Sequence, residues 1–183
     1  MQIQTDIARS LYRWRVRASL ISVIATVFLA RPNWLSLLAG AGFITLGLLF
    51  RGWACGHLTK DRELTTSGPY RYTRNPLYLG SLWIALGITA AARSWWVAAL
   101  FALNFLLFYT VTIYKERKVM EDLFPESYSA YSREVPLFFP YRRPYTNARI
   151  KSFSWDLYKS NKEYRALVGA LIFLLFMGIR IFI

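Results

Sequence analysis

"WWVAALFALNFLLFYTVTIY", residues 95 to 114, runs for twenty residues without a charge. A helix needs about 20 apolar residues to cross the hydrocarbon core of a bilayer, so this run predicts a membrane span. Outward from it lie further stretches nearly free of charge, at 18–30, 34–50, 77–92 and 164–183. The first two fit a helical hairpin turning at Arg31-Pro32-Asn33, and Asn75 and Pro76 extend the start of the third. Apolar residues make up 55% of the chain, aromatics 17%, and mean hydropathy is +0.27, high for a soluble domain of this size. The fold expected is an all-α membrane protein with about five transmembrane helices.

Charge sets the orientation. With the N-terminus inside, 20 of the 23 Lys and Arg residues fall on the inner side, leaving Arg31, Arg93 and Arg180 outside. That is the positive-inside pattern. It accounts for the +13 net charge through topology and attraction to anionic lipid headgroups, without nucleic acid as a partner. The expected location is the bacterial inner membrane, multi-pass, with a cytoplasmic N-terminus. "ARSLYRWRVRASL" (8–20) is basic and amphipathic with no cleavage site after it, and reads as an interfacial helix. The single Cys55 and single His57 supply neither a disulfide nor a zinc site, so no metal is expected.

The outer connections are short and the inner ones long, 51–76 and 115–163, so function is expected on the inner face. There "TTSGPYRYTRNPLYLG" (65–80) brings three tyrosines, two arginines and an Asn-Pro step to the edge of an apolar run. Gly68-Pro69 marks a turn. Asn75 reads as an N-cap and Pro76 as the first helical residue. The dipole end of that helix, with Arg74 beside it, suits a carboxylate or phosphate, while Tyr70, Tyr72 and Tyr78 offer faces for a purine or ribose. The ordinary alternative is the enrichment of Tyr and Arg at any membrane boundary.

A second polar region covers 112–144. Glu116, Val119, Met120 and Leu123 share one helical face, so Glu116 needs a partner: Arg74 or Lys115, or the amino or hydroxyl groups of a ligand. Pro125 ends the helix, Tyr128 and Tyr131 follow in a short turn, and "VPLFFP" (135–140) reads as an extended loop. His57 is either a proton acceptor or an interfacial hydrogen-bonding residue. "SFSWDLYKSNKEY" (152–164) is either an interfacial segment or a lid.

Together the two regions resemble the isoprenylcysteine carboxyl methyltransferase family and its bacterial relatives that methylate phospholipids and small molecules. Gly68, Tyr70, Arg74, Asn75, Pro76, Tyr78 and Gly80 match the first family motif, and Glu116, Phe124, Tyr128 and Tyr131 the second, with Met120 in a leucine place. The resemblance covers about residues 51–143. It implies a cytoplasmic-side pocket for S-adenosylmethionine (SAM), with Arg74 and the Asn75-Pro76 helix start holding the methionine carboxylate. Tyr70, Tyr72 and Tyr78 would line the cofactor, Glu116 would take its ribose hydroxyls or amine, and Tyr128 and Tyr131 would close the far side. Arg74, Glu116 and His57 are the catalytic candidates, His57 only where the acceptor must lose a proton. The acceptor implied is a lipid or other lipophilic small molecule.

On this reading 1–50 is an amphipathic segment and hairpin, 51–144 the methyltransferase core, and 145–183 an interfacial segment and last span. The chain departs from the family at Arg117, in place of a second acid, at Thr112, in place of an arginine, and at Pro125, in place of glycine. Two other readings compete. Sterol-reductase-like membrane enzymes carry a similar motif and bind NADPH, although a histidine stands where this chain has Asn75. A non-catalytic binding or scaffold protein would explain the lost second acid.

Overall fold

The computed structural model describes residues 17–18, 20–59 and 63–182, and every regular element among them is helical. The predicted interfacial stretch 8–20 lies outside these residues except for its last positions. The helices are α1 (Leu20–Leu29), α2 (Trp34–Cys55), α3 (Pro76–Ala92), α4 (Trp95–Leu123), α5 (Pro125–Glu134), α6 (Trp155–Ser160) and α7 (Tyr164–Arg180). Of these, α2 and α4 are long and apolar enough to cross a membrane, and α1 and α3 are shorter apolar helices.

The boundaries follow local chemistry. Asn33 caps α2, its side chain accepting from Ser36 N at 2.8 Å while Ser36 Oγ accepts from Asn33 N at 2.9 Å, a reciprocal box that satisfies two orphan donors. Pro125 opens α5 two residues after α4 stops, with Phe124 between them, as a proline at the first helical position does. The short turn expected around Tyr128 and Tyr131 is thus a ten-residue helix. In α4 the turn Phe105–Tyr109 is a π turn. Around it the side chains of Asn104, Thr110 and Thr112 each donate to the carbonyl four residues back. Such competition loosens the main-chain ladder.

Helices α2 and α3 run antiparallel in very close contact. A Cβ built on Gly40 would lie 2.6 Å from Gly87 O, and one on Gly47 would lie 2.6 Å from Gly80 O. Small residues at a membrane-helix seam allow this backbone approach. On its other side α2 meets α7, through Arg51 and Glu163 at one end and Trp34 against Phe182 at the other. Ala30, Ala92, Val97 and Met177 gather helix ends into a small core, with Phe101, Phe173 and Phe176 around it. A second core of Tyr128, Tyr131, Val135 and Tyr145 lies on the segments after α4.

Candidate functional site

The segment Gly68–Asn75 is the hub. It starts with the 3₁₀ turn Gly68–Arg71, where Gly68 has φ +57 and lies directly under the His57 ring. Only glycine meets both demands without strain. The segment is then tied to the loop after α5. Arg74 N donates to Pro136 O at 3.0 Å, Asn75 Nδ2 to Leu137 O at 2.9 Å, and Tyr145 N to Arg71 O at 2.9 Å. The "VPLFFP" loop therefore serves as a backbone partner for the motif. Asn75 does stand at the cap position of α3, but its side chain makes no cap bond. It is engaged by Leu137 instead, a partner 62 residues away.

Arg74 reaches the Tyr128 hydroxyl with Nη1 at 3.4 Å, and among the described residues its buried Nε has no hydrogen-bond acceptor. Buried guanidinium donors normally find partners, so this side chain retains donor capacity for an anion. Tyr131 donates its hydroxyl to Tyr70 O at 2.7 Å and packs edge-on against Tyr145 at 5.4 Å. Burial pushes the hydroxyls of both Tyr70 and Tyr131 well above the ordinary tyrosine range, so they act as neutral hydrogen-bonding groups. Tyr72 lies tilted against Trp53, with centroids 6.4 Å apart.

Tyr78, in the first turn of α3, donates its hydroxyl to Glu116 Oε1 at 2.5 Å. Its ring meets Tyr109 edge-on at 5.2 Å. Glu116 is thus engaged by Tyr78, which sequence reasoning did not anticipate. Of the residues singled out, Tyr70 and Tyr131 come together, as do Arg74 with Tyr128 and Tyr78 with Glu116. His57 joins none of these pairs. It is buried, with Nδ1 3.1 Å from Ser67 Oγ and its ring edge-on to Phe153 at 6.3 Å, and desolvation holds its pKa below the ordinary 6.5.

Sequence reading missed an apolar chamber of about 700 Å³ bounded by α1, α2, α3, α4 and α7. Tyr109, Arg51 and Ser81 lie on its wall. Arg51 binds Glu163 through Nε at 2.6 Å and Nη2 at 2.8 Å, and Ser81 Oγ through Nη1 at 2.5 Å. One signal could have flagged it: an arginine close to the end of an apolar helix demands a partner. That α2 extends to Cys55 puts Arg51 inside the helix rather than in the inner loop. Among the described residues no three His, Cys, Asp or Glu gather in a way that would hold a metal ion.

The family model for phospholipid methyltransferase matches residues 41–127. The chain is 34% identical over 136 residues to the cobalt-zinc-cadmium resistance protein CzcN of Cupriavidus metallidurans, and 32% identical over 136 residues to the nickel-cobalt-cadmium resistance protein NccN of Alcaligenes xylosoxydans xylosoxydans. Each match takes in 69% of this chain and 62% of the relative, so the chain spans about three fifths of the length of these curated relatives. It is also 31% identical over 111 residues to a protein-S-isoprenylcysteine O-methyltransferase of Schizosaccharomyces pombe, a match of 54% of this chain and 47% of that one. No solved structure matches. The match at 41–127 covers both the Gly68–Gly80 motif and Glu116, and together with the isoprenylcysteine O-methyltransferase match it supports a phospholipid methyltransferase and isoprenylcysteine methyltransferase-like family for this chain.

Proposed function

We propose that the protein is an integral membrane methyltransferase that uses SAM and acts on a lipophilic or amphiphilic acceptor at the cytoplasmic membrane edge, in a bacterial inner membrane. The observation that carries this reading is Tyr109. It lines the apolar chamber and packs on Tyr78, so a hydrophobic compartment and the family motif share a wall. The topology proposed has five crossings, α1, α2, α3, α4 and α7, with the N-terminus inside. At 17 residues each, α3 and α7 stand at the lower end of the roughly 17–25 range for a span. The domain division proposed remains 1–50, 51–144 and 145–183, with the core in the middle.

The residues fit the cofactor. Arg74 has a buried Nε without an acceptor, which suits the methionine carboxylate, aided by the α3 start at Asn75 and Pro76. Glu116 is exposed and suits the amine or ribose hydroxyls, with Tyr70, Tyr72, Tyr128 and Tyr131 framing the pocket. SAM, when bound, supplies an electrophilic methyl group on a sulfonium whose thioether leaves without needing an acid. The chain's task is then positioning and exclusion of water. Where the acceptor carries an O–H or N–H, we assign proton acceptance to Glu116 Oε1 through the Tyr78 hydroxyl. His57, turned toward Ser67 and Phe153, is assigned a structural role.

The test is calorimetric titration of S-adenosylhomocysteine into detergent-purified protein, with NADPH run in parallel. Micromolar S-adenosylhomocysteine binding is expected. Arg74→Ala and Glu116→Ala should each weaken it by about tenfold or more, roughly one charge-assisted contact, with thermal stability retained. Folded protein that binds neither ligand would remove the proposal, and NADPH binding alone would favour the reductase-like alternative.

A further inference from the structure

The chamber wall divides by origin. Tyr109, Arg51 and Ser81 belong to the segment that the family model matches, whereas the α1 and α7 parts of the wall lie outside residues 41–127. The flanking helices α1 and α7 thus complete the compartment from outside the family-model segment. Within α7, Ala166, Gly169 and Ala170 all border the chamber, spaced as one helical face. Gly169 stands apart from the glycines of the α2–α3 seam. A Cβ built on it meets nothing within 4 Å, so it serves no close packing. It also occupies a helix interior, where glycine costs about 1 kcal/mol relative to alanine. Gly169 is exposed as well as on the chamber's lining, so a side chain there would stand at the chamber's open edge.

The chamber's chemistry narrows the occupant. Among the described lining residues Arg51 is the one with a formal charge, and Glu163 matches it. Ser22 and Thr26 donate their hydroxyls to the carbonyls of Ala18 and Ser22, four residues back, and Asn104 Nδ2 donates to Ser22 Oγ at 2.8 Å. Most polar lining groups are thus engaged within the protein, Asn104 Oδ1 alone among those named being buried without a partner among the described residues, and the rest of the wall is mainly hydrocarbon. A volume of about 700 Å³ falls inside the 300–1,000 Å³ usual for small-molecule sites.

We propose that Gly169 sets the bore of the chamber and so makes α7 the determinant of acceptor selectivity, admitting one long uncharged hydrocarbon chain. This rests on the reading of the chamber as the acceptor's compartment. A side chain at 169 starts from an open Cβ position on the chamber lining, so it narrows the space there while leaving Arg74, Tyr78 and Glu116 untouched.

The experiment compares wild type, Gly169→Phe, Gly169→Leu and Gly42→Phe in detergent. Gly42 is the matched control, because its Cβ position is equally open and it is exposed as Gly169 is, but it does not border the chamber. Native mass spectrometry reads retention of octadecan-1-ol and decan-1-ol, and calorimetry reads S-adenosylhomocysteine. Wild type and Gly42→Phe should retain the long alcohol. Gly169→Phe should lose about tenfold of that retention, as overfilling a packed space does, with Gly169→Leu intermediate and the short alcohol changed by less than about twofold. Equal behaviour of Gly169→Phe and Gly42→Phe, or no retention of the long alcohol by wild type, would overturn the inference. Absence of S-adenosylhomocysteine binding alongside the expected alcohol discrimination would instead overturn the methyltransferase reading and leave the bore assignment standing.

Discussion

The two sides of α2 are held by opposite kinds of contact. Toward α3 the helix meets backbone with backbone, Gly40 and Gly47 against Gly87 and Gly80, with polar contacts among the described residues only toward the ends, from Ser36 Oγ to Ala91 O and from Arg51 to Ser81. Toward α7 it is held by tethers. Arg51 grips Glu163, Asn161 Nδ2 donates to the carbonyls of Cys55 and Leu58, and Ser154 N donates to Gly56 O. The chamber lies along this flank, beyond the tethered end. A steric seam tolerates no change in size, whereas a tethered flank keeps its geometry while leaving volume open. The seam fixes where α3 begins, and with it Arg74 and Tyr78. The flank supplies the space.

The sharpest way to break this contrast is to add a side chain to the seam. Gly47→Val would place atoms against Gly80 O and Ile84. It should lower the apparent Tm in detergent by about 10 °C, on the order of 3 kcal/mol, or prevent recovery of folded protein. Gly42→Val, at an open position, should leave Tm within about 2 °C. Equal effects at 42 and 47 would mean that the seam is not the rigid side.

A smaller loss is expected on the tethered flank. Glu163→Ala leaves the Arg51 guanidinium facing an apolar chamber without its carboxylate, at a cost of about 2 kcal/mol. Since α7 is also held at Trp34 and Phe182, Tm should fall by about 5 °C. Glu163→Gln, which keeps an acceptor, should fall less. An unchanged Tm for Glu163→Ala would remove the tether from the account.

The smallest effect concerns pH. His57 joins the end of α2 to Phe153, in the strap that leads to α7, and desolvation depresses its pKa below 6.5. The folded state therefore binds the proton less readily than the unfolded chain. The associated stability is full above pH 6.5 and is lost as pH falls through the lower folded value. Tm measured from pH 7.5 to 5 should decline slightly in wild type, and that part of the slope should vanish in His57→Gln. A slope unaltered by the substitution would assign the pH dependence to other groups.

Much of this was legible in the chain. Charge-free runs marked the apolar helices, Asn33 and Pro125 marked boundaries, and the spacing of the two motifs marked the family. The partners were less legible, for a physical reason: side-chain pairing is a property of the packed helices. Nothing local to Arg51 announces Glu163, 112 residues away, nor does Asn75 announce Leu137. The seam glycines recur seven apart in both α2 and α3, yet only antiparallel docking makes the two series meet. Gly169 looks no different from them in sequence. It differs in what faces it.

The π turn of α4 has a consequence for how that helix is read. Each residue of an α-helix advances about 100° around the axis, and a wider turn accommodates roughly one residue more before the helix resumes. The apolar half and the polar half of α4 are therefore out of phase, and a single periodic count from Trp95 to Leu123 assigns the far end to the wrong sector. Counted from Tyr109 onward the sectors agree: Tyr109 and Glu116, seven residues apart, both meet Tyr78. The wide turn works as a vernier between two surfaces of one helix, aligning a face chosen by the lipid with a face chosen by the polar site. Changes of length within Phe105–Tyr109 thus act on orientation before they act on reach.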